Sequence, residues 1–126
     1  MHFYPPKHHN QASAIIDQVL ARSPSNIPSL MGQAFVHQAS LKWKDAGATF
    51  DRVSSIIPDD VSLGLRAREE GAWCKVHINL CEEGLVDLQQ VLDALNELDD
   101  DKRNSDRARC LWRIGKCYIL LTGPSI

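Results

Sequence analysis

The chain matches itself at an offset of 34 residues: Ala12, Ile16, Val19 and Pro24 recur as Ala46, Phe50, Val53 and Pro58. A small residue, apolar residues four and seven positions on, and a proline twelve on make one repeated design. Self-similarity at a period between about 20 and 50 residues marks stacked supersecondary units, and helix–turn–helix units have periods near this one. Such a unit cannot bury its apolar face alone, so neighbours must stack on it, and the stack presents an extended surface. Binding of other proteins is therefore the function the pattern favours before any catalytic motif is sought.

Apolar residues at helical spacing carry the rest of the chain. Phe3-Tyr4-Pro5-Pro6 reads as non-helical because paired prolines remove donors and restrict the residue before them. A first helix is expected from Asn10 to Arg22, with Ala12, Ile15, Ile16, Val19 and Leu20 along one side. Ser23-Pro24-Ser25-Asn26 ends it, and Pro28 suits the first turn of a second helix that runs to about Leu41 with Leu30, Ala34 and His37 aligned. A third is expected from Trp43 to Ile57, and a fourth from near Val61 to Asn79 with Ala67, Gly71, Cys74 and Ile78 aligned. A fifth should span Glu82 to Leu98. NELDDDKRNS then reads as a solvated loop, and a last helix from Asp106 to Leu121 stops at Gly123-Pro124. No segment alternates with period two, so the expected class is all-α.

Composition narrows the function. At 126 residues the chain is expected to be one domain, 1–126, and a formal charge of -2 gives no electrostatic reason to expect nucleic acid. No run approaches the roughly 20 apolar residues of a membrane helix, so no membrane partner is expected. MHFYPPKHHN lacks the apolar stretch of a secretion signal, which leaves the cytoplasm, or the nucleus, as the expected compartment.

Candidate catalytic groups are sparse. Cys74 and Cys81 are seven apart, as are Cys110 and Cys117, which puts each pair on one helical side but about 10 Å apart in rise. Zinc sites favour two to four intervening residues, so buried thiols are the preferred reading over a metal site or a disulfide. His8 and His9 have no carboxylate or cysteine at a convincing spacing, and His37 and His77 sit on helix faces where they read as packing or solvated groups. Glu69-Glu70, Glu82-Glu83 and Asp99-Asp100-Asp101 read as solvated carboxylates, with Glu82-Glu83 and Asp59-Asp60 also suited to helix N-termini. Trp43, Trp73 and Trp112 stand among apolar residues at helical spacing and read as packing groups, not as base-stacking platforms. No phosphate loop, nucleophile elbow or metal-binding helix pair is present in the sequence, so no cofactor and no enzyme activity are expected.

Trp43, Ala46, Phe50, Val53 and Pro58 stand at the spacing of the second helix of a tetratricopeptide repeat, and Leu111, Ile114, Gly115 and Tyr118 at that of its first helix. The chain thus resembles a tetratricopeptide-repeat protein. The resemblance implies a right-handed α-solenoid, with Ala12, Ile16, Val19, Leu30 and Ala34 joining those residues as the repeat-defining core. It divides the chain into a partial repeat at 10–26, a full repeat at 27–60, a longer degenerate one at 61–98 and the first helix of an incomplete repeat at 106–121. His37 departs from the usual aromatic, and the degenerate repeat lacks the closing proline.

FYPPKHHNQA, SLMGQAFVHQA, GLRAREEGAWC and RARCLWRIGKCY further resemble the repeat region of the scaffold subunit of the fungal superkiller complex. That resemblance implies a protein scaffold that holds helicase and propeller-type subunits and supports cytoplasmic 3′-to-5′ mRNA decay by the exosome. Such subunits are very long solenoids, and this chain corresponds to a slice. Its last helix is apolar on more than one side, which makes self-association through that helix an expectation.

Arg109, Arg113 and Lys116 step by four and three, so they share one side of the last helix. In the repeat's register they line the concave groove, which makes them the candidate partner-binding residues. Guanidinium groups there suit carboxylates of a partner, or of the Asp99–Asp101 loop. Two other readings stay open: a stand-alone adaptor that docks an acidic peptide, and a thiol- or metal-dependent enzyme.

Overall fold

Six α-helices follow one another in the computed structural model, which describes residues 6–98 and 100–123, with side chains from residue 11 on. They are α1 (Pro6–Arg22), α2 (Ile27–Ala39), α3 (Trp43–Ile56), α4 (Leu63–His77), α5 (Cys81–Asn96) and α6 (Asn104–Thr122), with one 3₁₀ turn at Asp101–Arg103. Among the described residues there is no strand, and each helix packs chiefly on the next in the chain. This is an all-α solenoid, as the sequence implied.

The helix ends follow local chemistry. Asn26 caps α2 by accepting from the Ser29 N–H at 2.9 Å. One oxygen of Asp60 accepts from the N–H groups of Ser62, Leu63 and Gly64 at the start of α4, and those bonds lower its pKa. Glu82 and Glu83 lie in the first turn of α5. The turns after α2 and α4 are built alike: Leu41 and Asn79 take left-handed backbone, with φ of 61° and 68°. In each, the next N–H returns to a carbonyl five residues back, Lys42 to His37 and Leu80 to Lys75. The expected second and fourth helices therefore end two residues early, at Ala39 and His77.

The first helix starts earlier than expected. It opens at Pro6, because a proline is tolerated where no intrahelical donor is needed; residues 3–5 lie outside the described set. The segment expected to be a solvated loop carries the 3₁₀ turn and is held from α6. Arg107 donates to the carbonyls of Leu95, at 3.1 and 2.8 Å, and of Asp100, at 3.0 Å, and also to that of Leu98. It thereby satisfies carbonyls that the end of α5 leaves open.

Two apolar cores share α4. Leu30, Met31, Ala34, Ala46, Phe50, Val53, Ala67 and Cys74 form one between α2, α3 and α4. Leu65, Ala72, Val76, Leu88, Val91, Leu95, Cys110, Ile114 and Cys117 form the other between α4, α5 and α6. Small residues let the backbones approach: a Cβ on Gly84 would lie 2.8 Å from the Ala72 carbonyl oxygen. The expected core is correspondingly uneven. Leu30, Ala34, Ala46, Phe50, Val53 and Ile114 are buried, while Ala12, Ile16, Val19 and Trp43 are half-buried. Pro58, Leu111, Gly115 and Tyr118 are exposed. Pro58 sits in a surface turn, and no described helix covers the side of α6 that carries the other three.

Candidate functional site: the face shared by α2, α4 and α6

Helices α2, α4 and α6 alternate with α3 and α5, so their sides come together in one row. Glu69 and Glu70, consecutive on α4, lie at the centre of that row and are 1% exposed. Carboxylates so deep require charged partners, and both neighbours supply them. Arg109 grips Glu69 with two parallel bonds, at 2.8 and 2.9 Å. Arg113 bridges the two acids, donating to Glu69 at 2.7 Å and to Glu70 at 3.2 Å. Arg66, one turn back on α4, donates to Glu70 at 2.8 Å, and Gln38 of α2 donates to it at 3.1 Å. Each carboxylate thus accepts three hydrogen bonds.

The electrostatics agree with that geometry. Burial pushes the Glu70 pKa up, but Arg113 together with the bonds from Gln38 and Arg66 outweighs it and holds the group below its ordinary value. The bond to Glu69 drives the Arg109 pKa upward against its partial burial, with Asp106 adding a further bond at 2.9 Å. Glu70 is thereby favoured in its ionised form, and the cluster ties three helices.

An aromatic row runs beside it. Trp43 stacks on His77 at 3.8 Å, His77 meets Trp73 edge-on at 4.9 Å, and Trp73 lies 5.9 Å from Trp112. The Arg113 guanidinium sits 5.2 Å over Trp73, and Lys116 Nζ 5.8 Å from the centre of Trp112. Burial, then the nearby Arg113 charge, lowers the His77 pKa, so the ring stacks in its neutral form near pH 7. Trp112 is 60% exposed and ends this row at the surface.

Of the three expected partner-binding residues, Arg109 and Arg113 lie together on the row with their guanidinium groups held by Glu69 and Glu70. Lys116 lies one step away against Trp112. Among the described residues, the carboxylates that meet these arginines are Glu69 and Glu70, expected to be solvated but buried, and Asp106. The missed signal lies on α4 itself. Gly64, Ala67, Gly71 and Ala72 are small residues spread around that helix, which marks a helix crowded on every side. Charges on such a helix must be paired.

The cysteines form free thiols, with Cys74, Cys110 and Cys117 buried and Cys81 partly so. Burial pushes the Cys74 thiol up to about 11 and the Cys110 thiol up to about 12, the reverse of the activation a catalytic cysteine needs. Cys110 donates to the Leu88 carbonyl at 3.3 Å and packs in the core.

Comparison with known proteins gives one informative likeness. The chain is similar to a slice of Superkiller protein 3 of Saccharomyces cerevisiae. The two are 33% identical over 116 residues, which is 91% of this chain and 8% of the yeast protein. The chain thus spans less than a tenth of the relative's length. No protein-family model matches it. Its helical stacking is that of a tetratricopeptide-like slice.

Proposed function

We propose that the chain is a segment of a protein–protein interaction scaffold of the superkiller assembly, without catalytic activity of its own. The observation that carries this reading is the 33% identity to Superkiller protein 3 along 91% of the chain. The fold supports it: a row of alternate helices held rigid by buried ion pairs presents a preformed surface, and preformed surfaces cost less entropy to engage. In this reading the segments 10–26, 27–60, 61–98 and 106–121 are successive repeat units. The partners are the helicase and propeller-type subunits of the assembly, and the setting is the cytoplasm. The process supported is 3′-to-5′ mRNA decay by the exosome.

Roles within the row divide. Lys116 and Trp112 contact a partner, while Arg109 and Arg113 act by fixing α6 against α4. The test is co-purification of the protein that carries this chain, at its native level, followed by identification of its stoichiometric partners. A helicase and a propeller-type subunit are expected in near-equal amounts. Their absence from every preparation would remove the assembly from the reading. A second arm deletes 27–121 and asks whether either subunit is lost.

A further inference from the structure

Helices α2 and α6 carry one pattern, and the structure covers it on one helix only. Leu30, Ala34 and His37 on α2 step by four and three, and so do Leu111, Gly115 and Tyr118 on α6. On α2, Leu30 and Ala34 are fully buried, because α3 sets Ala46, Phe50 and Val53 into the same core. On α6 the matching side is bare. Leu111 and Tyr118 are exposed, and a Cβ added to Gly115 would meet nothing within 4 Å.

A helix of the design that covers α2 stands at the other end of the stack. Ala12, Ile16 and Val19 of α1 repeat Ala46, Phe50 and Val53 of α3 at the 34-residue offset. Helix α3 uses two sides. Gly47 turns to α4, where an added Cβ would lie 3.2 Å from the Cys74 Cβ, while Arg52 turns towards the start of α2 and donates to the Pro24 carbonyl at 2.9 Å. Helix α1 uses only the first of these: Ile16 packs on α2, its Cδ1 3.2 Å from where a Cβ on Gly32 would stand. Its second side is open among the described residues. Ile15 and Gln18, at the places of Thr49 and Arg52, are exposed, and a hollow of about 530 Å³ lies beside Gln18, Val19 and Arg22. The contact of α2 with α3 already shows two such sides joined. Within one chain the free pair stays apart, since α1 packs chiefly on α2 and four helices separate it from α6.

We propose that α1 of a second copy of this chain packs on the outer side of α6 as α3 packs on α2, with Ala12 over Gly115. Those two residues, small like Ala46 and Ala34, let the helix backbones approach closely. The contact is heterologous, one copy's α1 on the next copy's α6, so it builds an open head-to-tail row and not a closed pair.

The experiment is sedimentation equilibrium of the 126-residue chain. One helix on another makes less than a standard-size interface, so a dissociation constant of about 100 µM is expected, with a mass that climbs past two chains as concentration rises. Gly115→Leu fills the place that Ala12 must take, and Ile15→Lys sets a charge on the open side of α1. Both positions are exposed in the isolated chain, so both variants should keep the parent's circular dichroism. Each alone is expected to associate about tenfold more weakly. Mixed, they retain one good side each and should form a 1:1 pair that grows no further. A parent chain that stays single at about 1 mM would overturn the proposal. So would Gly115→Leu that associates as strongly as the parent, because apolar surface in general, and not the fit of Ala12 to Gly115, would then hold the copies. An Ile15→Lys chain that still pairs with itself would overturn it as well, since α6 would then be meeting α6.

Discussion

The two sides of α6 are built on opposite terms. The inner side sets Cys110, Ile114 and Cys117 into the second core and spends Arg109 and Arg113 on the buried acids of α4. The outer side shows Leu111, Trp112, Tyr118, Ile119 and Leu120 to solvent. Gly115 lies on that outer side, where an added Cβ would meet nothing within 4 Å, while one on Gly84 of α5 would meet the Ala72 carbonyl and Val76. The contrast teaches that a repeat motif records where helices can approach, and not which of its residues are covered. Leu111, Ile114, Gly115 and Tyr118 match one motif, yet Ile114 alone of the four is buried.

The largest expected effect comes from breaking the inner side. Arg113→Met leaves Glu69 and Glu70 each short of a cation, and removing one partner from a buried ionic cluster costs about 3 kcal/mol. Urea unfolding of the 126-residue chain measures it. Arg109 and Arg113 substitutions are thus expected to alter folding stability. Gly84→Ala, which forces a methyl group into contact at 2.8 Å, should destabilise by about 2 kcal/mol. Gly115→Ala should go the other way and stabilise by about 1 kcal/mol, since it gains helix propensity with no clash. If a partner helix packs over that notch, the same change weakens the complex, so isolated chain and assembly should respond with opposite signs.

Acid sharpens the contrast further. The native pKa of Glu70 lies below its ordinary value of 4.5, so its contribution to stability is fully present above that value. It is lost as the pH falls through the lower native value. Stability should decline on acidification below about pH 4.5, and Glu70→Gln should flatten that decline in urea midpoints recorded across the range. The smallest effect is expected on the outer side, where Leu111→Ser should stay within about 0.5 kcal/mol of the parent.

The solenoid was legible because most of its helices keep a one-sided pattern. Ala46, Phe50 and Val53 on α3 step by four and three and are all buried. Helix α4 has no such pattern, because α3 and α5 cover it on two sides and α2 and α6 meet it on the others. Its Ala67–Gly71–Cys74 stripe was readable, but the burial of Glu69 and Glu70 was not, since periodicity assigns charges to solvent. The shared side of Arg109 and Arg113 was legible from their spacing of four. Their partners were not, for these lie forty or more residues back on the chain, at Glu69 and Glu70. The clasp of Arg107 on the end of α5 escaped for the same reason: a side chain that satisfies distant carbonyls leaves no periodic trace. The left-handed Leu41 is likewise invisible to pattern, because Gly or Asn usually marks such a turn.

The central claim is that ionic contact with α4, and not the apolar outer side, sets the position of α6. The most direct test is a double-mutant cycle between Glu69→Gln and Arg113→Met in urea unfolding. A coupling of about 2 kcal/mol is expected for groups in direct contact inside one network. Additivity to within about 0.3 kcal/mol, the behaviour of independent sites, would contradict the claim.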